Sequence, residues 1–158
     1  MRRAADISLE ITGSKQGKFK GGSNKKDRAD MFDIWDTNYK VISPRDVTTG
    51  HATGRRQHNP LVVYTEVEKG GVPMVFTALI SNENLTTISL KYWRSDTKAS
   101  KQVNYFKIDL ANAVASELEV FCDEDGRPNA RMAFTFQNIT LTWADGNIQG
   151  TDSWSGVT

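Results

Sequence analysis

The constraint that dominates this sequence is an apolar period of two that recurs along most of its length. Ile7, Leu9 and Ile11 alternate with Ser8, Glu10 and Thr12, which gives an extended chain one apolar and one polar face. The pattern returns in Ile88, Leu90 and Tyr92, in Phe106, Ile108 and Leu110, and in Val114, Leu118 and Val120. It returns again in Met132, Phe134 and Phe136, followed by Ile139, Leu141 and Trp143. There the apolar set changes from even to odd numbers, which predicts a β-bulge near Gln137 and Asn138. Shorter strands are expected at 31–35, continuing through Tyr39, Val41 and Ile42, and at 61–67. One segment breaks the pattern. Pro73 followed by Val75, Ala78 and Leu79 at helical spacing predicts a single short helix ended by Ser81 and Asn82.

Turn residues fall between these runs, at Gly21-Gly22-Ser23-Asn24, Asp125-Gly126-Arg127-Pro128 and Asp145-Gly146-Asn147, and leave room for seven or eight strands. So many antiparallel strands must dispose of their edges. The economical solution is an all-β fold with one short helix, a β-barrel or a pair of curled sheets, formed as a single domain over 1–158. The runs 61–67 and 134–143 are apolar on both faces, more than one barrel interior can absorb. The surplus is expected to face a second copy of the chain.

Charge excludes more than it suggests. Twenty Lys and Arg against nineteen Asp and Glu leave a formal charge of +1, without the basic excess of a nucleic-acid binder. Six cations crowd into 15–28 (Lys15, Lys18, Lys20, Lys25, Lys26 and Arg28), but Phe19 is the one aromatic among them, so this run is read as a solvated loop. A single Cys122 permits no internal disulfide. No apolar run follows Met1-Arg2-Arg3, and no stretch approaches the roughly 20 apolar residues of a membrane span. The expectation is a chain made in the cytoplasm, without a general secretory leader and without membrane insertion.

Candidate chemistry is thin. Gly13-Ser14-Lys15-Gln16-Gly17-Lys18 has three residues between its glycines where a phosphate loop has four, and Phe19 stands where Ser or Thr is needed. Asp123-Glu124-Asp125 lacks the spaced ligands of a calcium loop. His51 and His58 are too few for zinc without a nearby thiol pair. No nucleophile elbow occurs. Neither an enzyme, a cofactor nor a metal site is expected. What remains is the polar connection from Ser43 to Asn59, longer than compact domains ordinarily carry without a function.

That connection, Thr49-Gly50-His51-Ala52-Thr53-Gly54-Arg55-Arg56-Gln57-His58-Asn59-Pro60-Leu61, with the strand Val62-Val63-Tyr64-Thr65-Glu66-Val67 after it, resembles the Hcp family of haemolysin-coregulated proteins. The resemblance continues collinearly through 84–93 and 105–114 to Ile139-Thr140-Leu141-Thr142-Trp143 and Asp152-Ser153-Trp154, although Gly70-Gly71-Val72-Pro73 replaces the family's Ser-Pro helix start. It implies a β-barrel flanked by one helix, assembled as a homohexameric ring, with rings stacked into the inner tube of a type VI secretion system. A contractile sheath on a baseplate would drive that tube, tipped by a trimeric spike protein and carrying small effectors in its lumen, from the bacterial cytoplasm into a target cell. Phage tail tubes share the fold, so the tail tube of a phage-derived injection particle is the alternative. The resemblance makes 43–60 an extended loop between subunits, with Asp46, Thr49, Gly50, Thr53, Gly54, Arg55, His58 and Pro60 as its contact residues, Gly50 and Gly54 supplying unusual backbone angles, and 145–158 a C-terminal tail.

Overall fold

The computed structural model describes residues 6–96, 98 and 101–155. Ten strands and one helix follow in the order β1 (Ile7–Gly13), β2 (Gly17–Lys18), β3 (Phe32–Asn38), β4 (Val41–Ile42), β5 (Gln57–His58), β6 (Leu61–Glu66), α1 (Gly71–Ser81), β7 (Leu85–Asp96), β8 (Lys101–Cys122), β9 (Pro128–Trp143) and β10 (Ile148–Ser153). Every pairing is antiparallel. Following neighbours from β9 through β6, β3, β1, β7 and β8 returns to β9, so these strands close on themselves. β10 extends β9 on the other side, and β4 with β5 forms a separate two-stranded ribbon. The strand expected at 31–35 and onward through Ile42 therefore ends at Asn38, and Val41 and Ile42 belong to that ribbon.

The alternating apolar residues do what their period requires. Leu9, Ile11, Leu61, Val63, Ile88, Leu90, Leu110, Met132 and Phe134 are all fully buried or nearly so and form one core, each worth about 1.5–3 kcal/mol relative to exposure. α1 packs against β8 and turns Val72, Val75 and Ala78 inward. It begins two residues before Pro73, with Gly70 as its N-cap, and ends at Asn82 in the left-handed conformation. Proline is tolerated there because first-turn amides have no partner inside the helix.

The switch in apolar numbering on β9 is present, but its cause is not a bulge at Gln137 and Asn138. The register between β8 and β9 runs unbroken from Phe106↔Trp143 to Ala115↔Phe134 and shifts between Ala115 and Glu117. Instead three adjacent strands invert together: the buried residues pass from Leu85 to Ile88 on β7, from Leu110 to Ala113 on β8, and from Phe136 to Ile139 on β9. These positions face one another in the ladder, so the sheet carries a crease across its strands. Asn112 sits on it with φ of 52°. Along it, Asn84 Nδ2 donates to Asn112 Oδ1 (3.2 Å) and Asn112 Nδ2 donates to Gln137 Oε1 (2.9 Å). A bend shared by three strands preserves the ladder while turning each strand over, which a bulge on one strand cannot do.

Of the runs expected to carry surplus apolar surface, 134–143 leaves Trp143 exposed at its end, and most of the rest lies elsewhere. Tyr64, on the outer face of β6, is half-buried with its ring centroid 5.2 Å from that of Trp35, and Ala133 beside it on β9 is fully covered. Among the described residues, the large apolar side chains left exposed are Val41, Ile42, Val47, Phe76, Ile80, Val120, Trp143 and Ile148, at the ribbon, the connection, α1 and strand ends.

Candidate functional site

The connection between β3 and β6 is built in two parts, a finger and its root. In the finger, Arg45 and Ala52 form a bridge, Asp46 N donates to His51 O (2.8 Å) and Thr53 N donates to Pro44 O (3.0 Å). At its apex Gly50 N donates to Asp46 O (2.8 Å), while Thr48 N and Thr49 N both donate to Asp46 Oδ1 (2.7 and 3.0 Å). A carboxylate receiving two backbone amides mimics a turn of its own chain. Those bonds, Thr49 first, hold the Asp46 carboxyl below its ordinary value. Gly50 takes φ of 75°, open to glycine at little cost. Gly54 does not: its φ is not in the left-handed region, which corrects the expectation of an unusual angle there.

The root is a buried polar cluster. His58 has a side chain only 1% exposed. Its Nδ1 lies 2.6 Å from the Tyr39 hydroxyl and its Nε2 lies 2.9 Å from Asp152 Oδ2. The neutral ring protonated at Nε2 satisfies both, donating to the carboxylate and accepting from the phenol. Arg56 closes the cluster from outside, its Nε and Nη2 donating to the two oxygens of Asp152 (2.8 and 3.0 Å). Those bonds hold the Asp152 carboxyl well below the usual carboxylate range against the opposing effect of burial, with the bond from His58 helping. Burial, and behind it the charge of Asp152, pushes the Tyr39 phenol up. Trp154 and Phe136 pack on the His58 ring at 6.1 and 5.6 Å between centroids. Tyrosine, histidine and aspartate in line look like a proton relay, but both ring nitrogens of His58 are taken up by Tyr39 and Asp152. The cluster ties β5 to β10 and fixes the finger where it leaves the barrel.

The expected contact residues thus divide. Asp46, Thr49, Gly50 and Thr53 shape the finger through bonds within the chain. His58 is committed inside the root, and the half-buried Pro60 leads into β6. Arg55 is exposed on the finger's flank, as is Gly54. Sequence reasoning missed Tyr39, Arg56 and Asp152, whose spacing spans most of the chain, and Val47. For Val47 a signal existed: it is the one large apolar residue between Pro44 and Arg56.

Two other motifs resolve into scaffold. The Gly13–Gly17 turn does present amides to an anion, but the anion is internal. Lys15 N and Gln16 N donate to Glu83 Oε2 (3.0 and 2.9 Å), and Gln16 Nε2 donates to Glu83 Oε1 and Met74 O (3.0 Å each). A Cβ on Gly13 would meet Glu83 Oε2 at 2.1 Å. In the acidic turn, Asp123 Oδ1 accepts from Asp125 N and Arg127 N (2.9 Å each) and Oδ2 accepts from Asn129 Nδ2 (3.0 Å). Among the described residues no group of three or more His, Cys, Asp or Glu is placed to hold a metal, and no helix is long and apolar enough to cross a membrane.

Comparison with known proteins agrees with this architecture. The family model described as type VI secretion system effector, Hcp, matches residues 9–143. The "Major exported protein" of Pseudomonas aeruginosa PAO1 is 29% identical over 167 residues, covering 96% of either chain. The solved structure of Hcp1 from E. coli EAEC 042 superposes with a TM-score of 0.86 at 23% identity, covering 96% of this chain and 99% of the other. The secreted protein Hcp3 from Pseudomonas aeruginosa superposes with a TM-score of 0.77 at 25% identity, with the same coverage.

Proposed function

The chain belongs to the Hcp family of type VI secretion system proteins, and from that premise we propose that it is a subunit of the secreted inner tube. Six copies close into a ring and rings stack into a tube. A contractile sheath expels the tube from the cytoplasm, with a spike protein at its head and effectors in its bore. The protein then acts by assembling, with no reaction of its own.

The observation that carries this reading is a pair of open strand edges beside the closed circuit of β1, β3, β6, β9, β8 and β7. Beyond Ala113, β8 pairs with β9 alone, and β10 also pairs with β9 alone, so among the described residues neither outer edge has a strand partner. Edges without a strand partner invite pairing between copies. Exposed apolar side chains accompany both: Val120 on β8, and on the other side Ile148 of β10 opposite Trp143 of β9. Two different patches that join copies head to tail produce a ring when the rotation closes.

Light scattering on the purified protein at micromolar concentration is expected to give six times the 17.6 kDa protomer mass, with annular particles in negative stain. Val120→Lys and Ile148→Lys each put a charge on an edge that the isolated protomer leaves exposed. Both are expected to release folded protomers with the wild-type unfolding midpoint. A wild-type particle of protomer mass under every buffer tried would overturn the reading.

A further inference from the structure

Two pieces of the chain lie outside the closed circuit of strands and bury few residues of their own. β10 has four exposed and two half-buried residues. In the β4–β5 ribbon, His58 alone of the four strand residues is buried. Beyond the ribbon, the finger is held by bonds to Asp46, which fix Val47 (103% exposed) outward at its apex. Such pieces are marginal by themselves, because an isolated pair of strands in water has little to hold it together.

They meet at one carboxylate. Asp152 stands on β10 opposite Ile139 of β9 and accepts from Arg56 and His58 on the ribbon side. Tyr39, where the chain passes from β3 to the ribbon, holds the other nitrogen of His58. Beneath all of them lies Phe136 of the core, 4% exposed. Trp154 meets it edge-on at 5.0 Å between centroids, with His58 at 5.6 Å and Tyr39 at 6.2 Å.

Parting β10 from the ribbon therefore harms both at once. The Arg56 fork on Asp152 is the stronger, charge-assisted kind of bond, and it breaks. The His58 ring, its side chain 1% exposed, is left without an acceptor for its Nε2 proton. Phe136 loses the rings that cover it. Neither piece can leave while the other keeps its own contacts whole.

We infer that β10 is the latch of the finger: β10 with Trp154, and the ribbon with its finger, open and close as one unit through Asp152, apart from the barrel. Whatever steadies β10 then orders the finger without touching it, and the converse holds equally. The latch belongs to the single chain. Its use in assembly, where a copy paired on the open edge of β10 would order the finger through Asp152, rests on the tube reading.

Amide exchange on full-length protomers, Val120→Lys or the wild type if it stays at protomer mass, reads the latch directly. Asn59 N, bonded to Lys40 O (2.9 Å), reports the ribbon, and Thr53 N, bonded to Pro44 O (3.0 Å), reports the finger. Trp154 N, bonded to Gln137 O (2.9 Å), reports the tail, and Phe19 N, bonded to Ile11 O (2.9 Å), reports the barrel. Asp152→Asn is expected to speed the first three by one common factor of about ten, and Tyr39→Phe by a smaller common factor, with Phe19 unchanged. Tyr39→Phe is the decisive variant, because the bond it removes lies on the ribbon side. A bond of local effect would speed Asn59 and leave Trp154 at its original rate, which would overturn the latch. So would Phe19 speeding as much as the others, since the opening would then be that of the whole chain. In wild-type rings Asn59 and Trp154 are both expected to slow relative to the protomer, and in Asp152→Asn rings Trp154 alone. Asn59 slowed equally in both rings would overturn the use of the latch in assembly. Light scattering on the same samples separates the failures: a wild type at protomer mass defeats the tube reading, while exchange on that protomer still decides the latch.

Discussion

Two long polar connections leave this barrel, and they are held in opposite ways. The basic connection of 19–31 is fastened from inside by its own side chains. Phe19 is fully buried in the core, and Arg28, only 2% exposed, lies over the Trp93 ring (4.1 Å) and donates to Asp6 and to Gln102 Oε1. The connection of 43–56 is fastened only at its root and by its own backbone, and its apolar residue points away from the protein. Composition ranks the two the wrong way round: the run with more charge is more deeply embedded. Order that the core accounts for belongs to the scaffold. Order without such an account, as at Val47, marks surface kept for something else.

Arg28→Ala is the strongest way to break that contrast. It leaves the Asp6 carboxylate without its main partner, on a group whose second oxygen already lacks a hydrogen bond among the described residues. Removing one member of a half-buried ion pair costs about 3 kcal/mol, read as a lower urea midpoint. Arg28→Lys keeps the charge and loses the fork and the ring stacking, so it is expected to recover part of the loss. An equal truncation on the finger, Arg55→Ala, is expected within about 0.5 kcal/mol of wild type. A basic connection as soluble as its composition suggests would leave all three midpoints unchanged.

Much of the barrel was legible because its signal is local. Ile7, Leu9 and Ile11 show their face through their immediate neighbours, and Pro73 with Val75 and Ala78 shows a helix in the same way. The crease was half legible: β9 displayed its inversion, but nothing on β9 tells that Leu85 to Ile88 and Leu110 to Ala113 invert at the same level. Glu83 was invisible because two of its bonds come from the backbone amides of Lys15 and Gln16, which have no letter in the sequence, and the third from a Gln16 side chain 67 residues away. The root was hidden for a related reason: His58 meets Asp152 across 94 residues, and with only two histidines present the natural comparison was with metal ligands. The φ of Gly50 is the unusual angle expected there, whereas burial of His58 gives that residue work inside the chain.

Acid sharpens the comparison further: the finger's own lowered carboxyl, Asp46, holds only its exposed turn, whereas those of the scaffold tie separate elements together. Burial pushes Glu83 up, but bonds from Gln16 and Lys15 outweigh it and leave the group lowered; Asp6 behaves likewise, burial being outweighed by Arg28 and Lys25. A carboxyl with a folded value below its unfolded value of about 4 gives stability that is complete above that value. As pH falls through the folded value, the unfolded chain has already bound its proton and the stability is lost. Wild-type protein is therefore expected to lose stability steadily between about pH 5 and pH 2. Glu83→Gln is expected to cost about 2 kcal/mol at pH 7 and much less at pH 2, so that the two midpoint curves converge in acid. Parallel curves would mean that Glu83 contributes shape and no charge.

The smallest effect is also the cleanest, because it compares two glycines on the same finger. Both face open space, so a methyl group at either meets no atom within 4 Å. They differ in backbone alone: Gly50 has φ of 75° and Gly54 an ordinary one. Gly50→Ala forces a β-carbon into the left-handed region and is expected to cost about 1 kcal/mol. Gly54→Ala restricts the unfolded chain without straining the folded one and is expected to be neutral or to stabilise by a few tenths of a kcal/mol, up to about 1. Because the finger opens apart from the barrel, the difference should appear in amide exchange at Thr48 and Thr49, faster by about fivefold in Gly50→Ala, with the global midpoint almost still. Equal exchange in the two variants would mean that the apex is not held by its turn, and with it would go the reason for calling Val47 fixed.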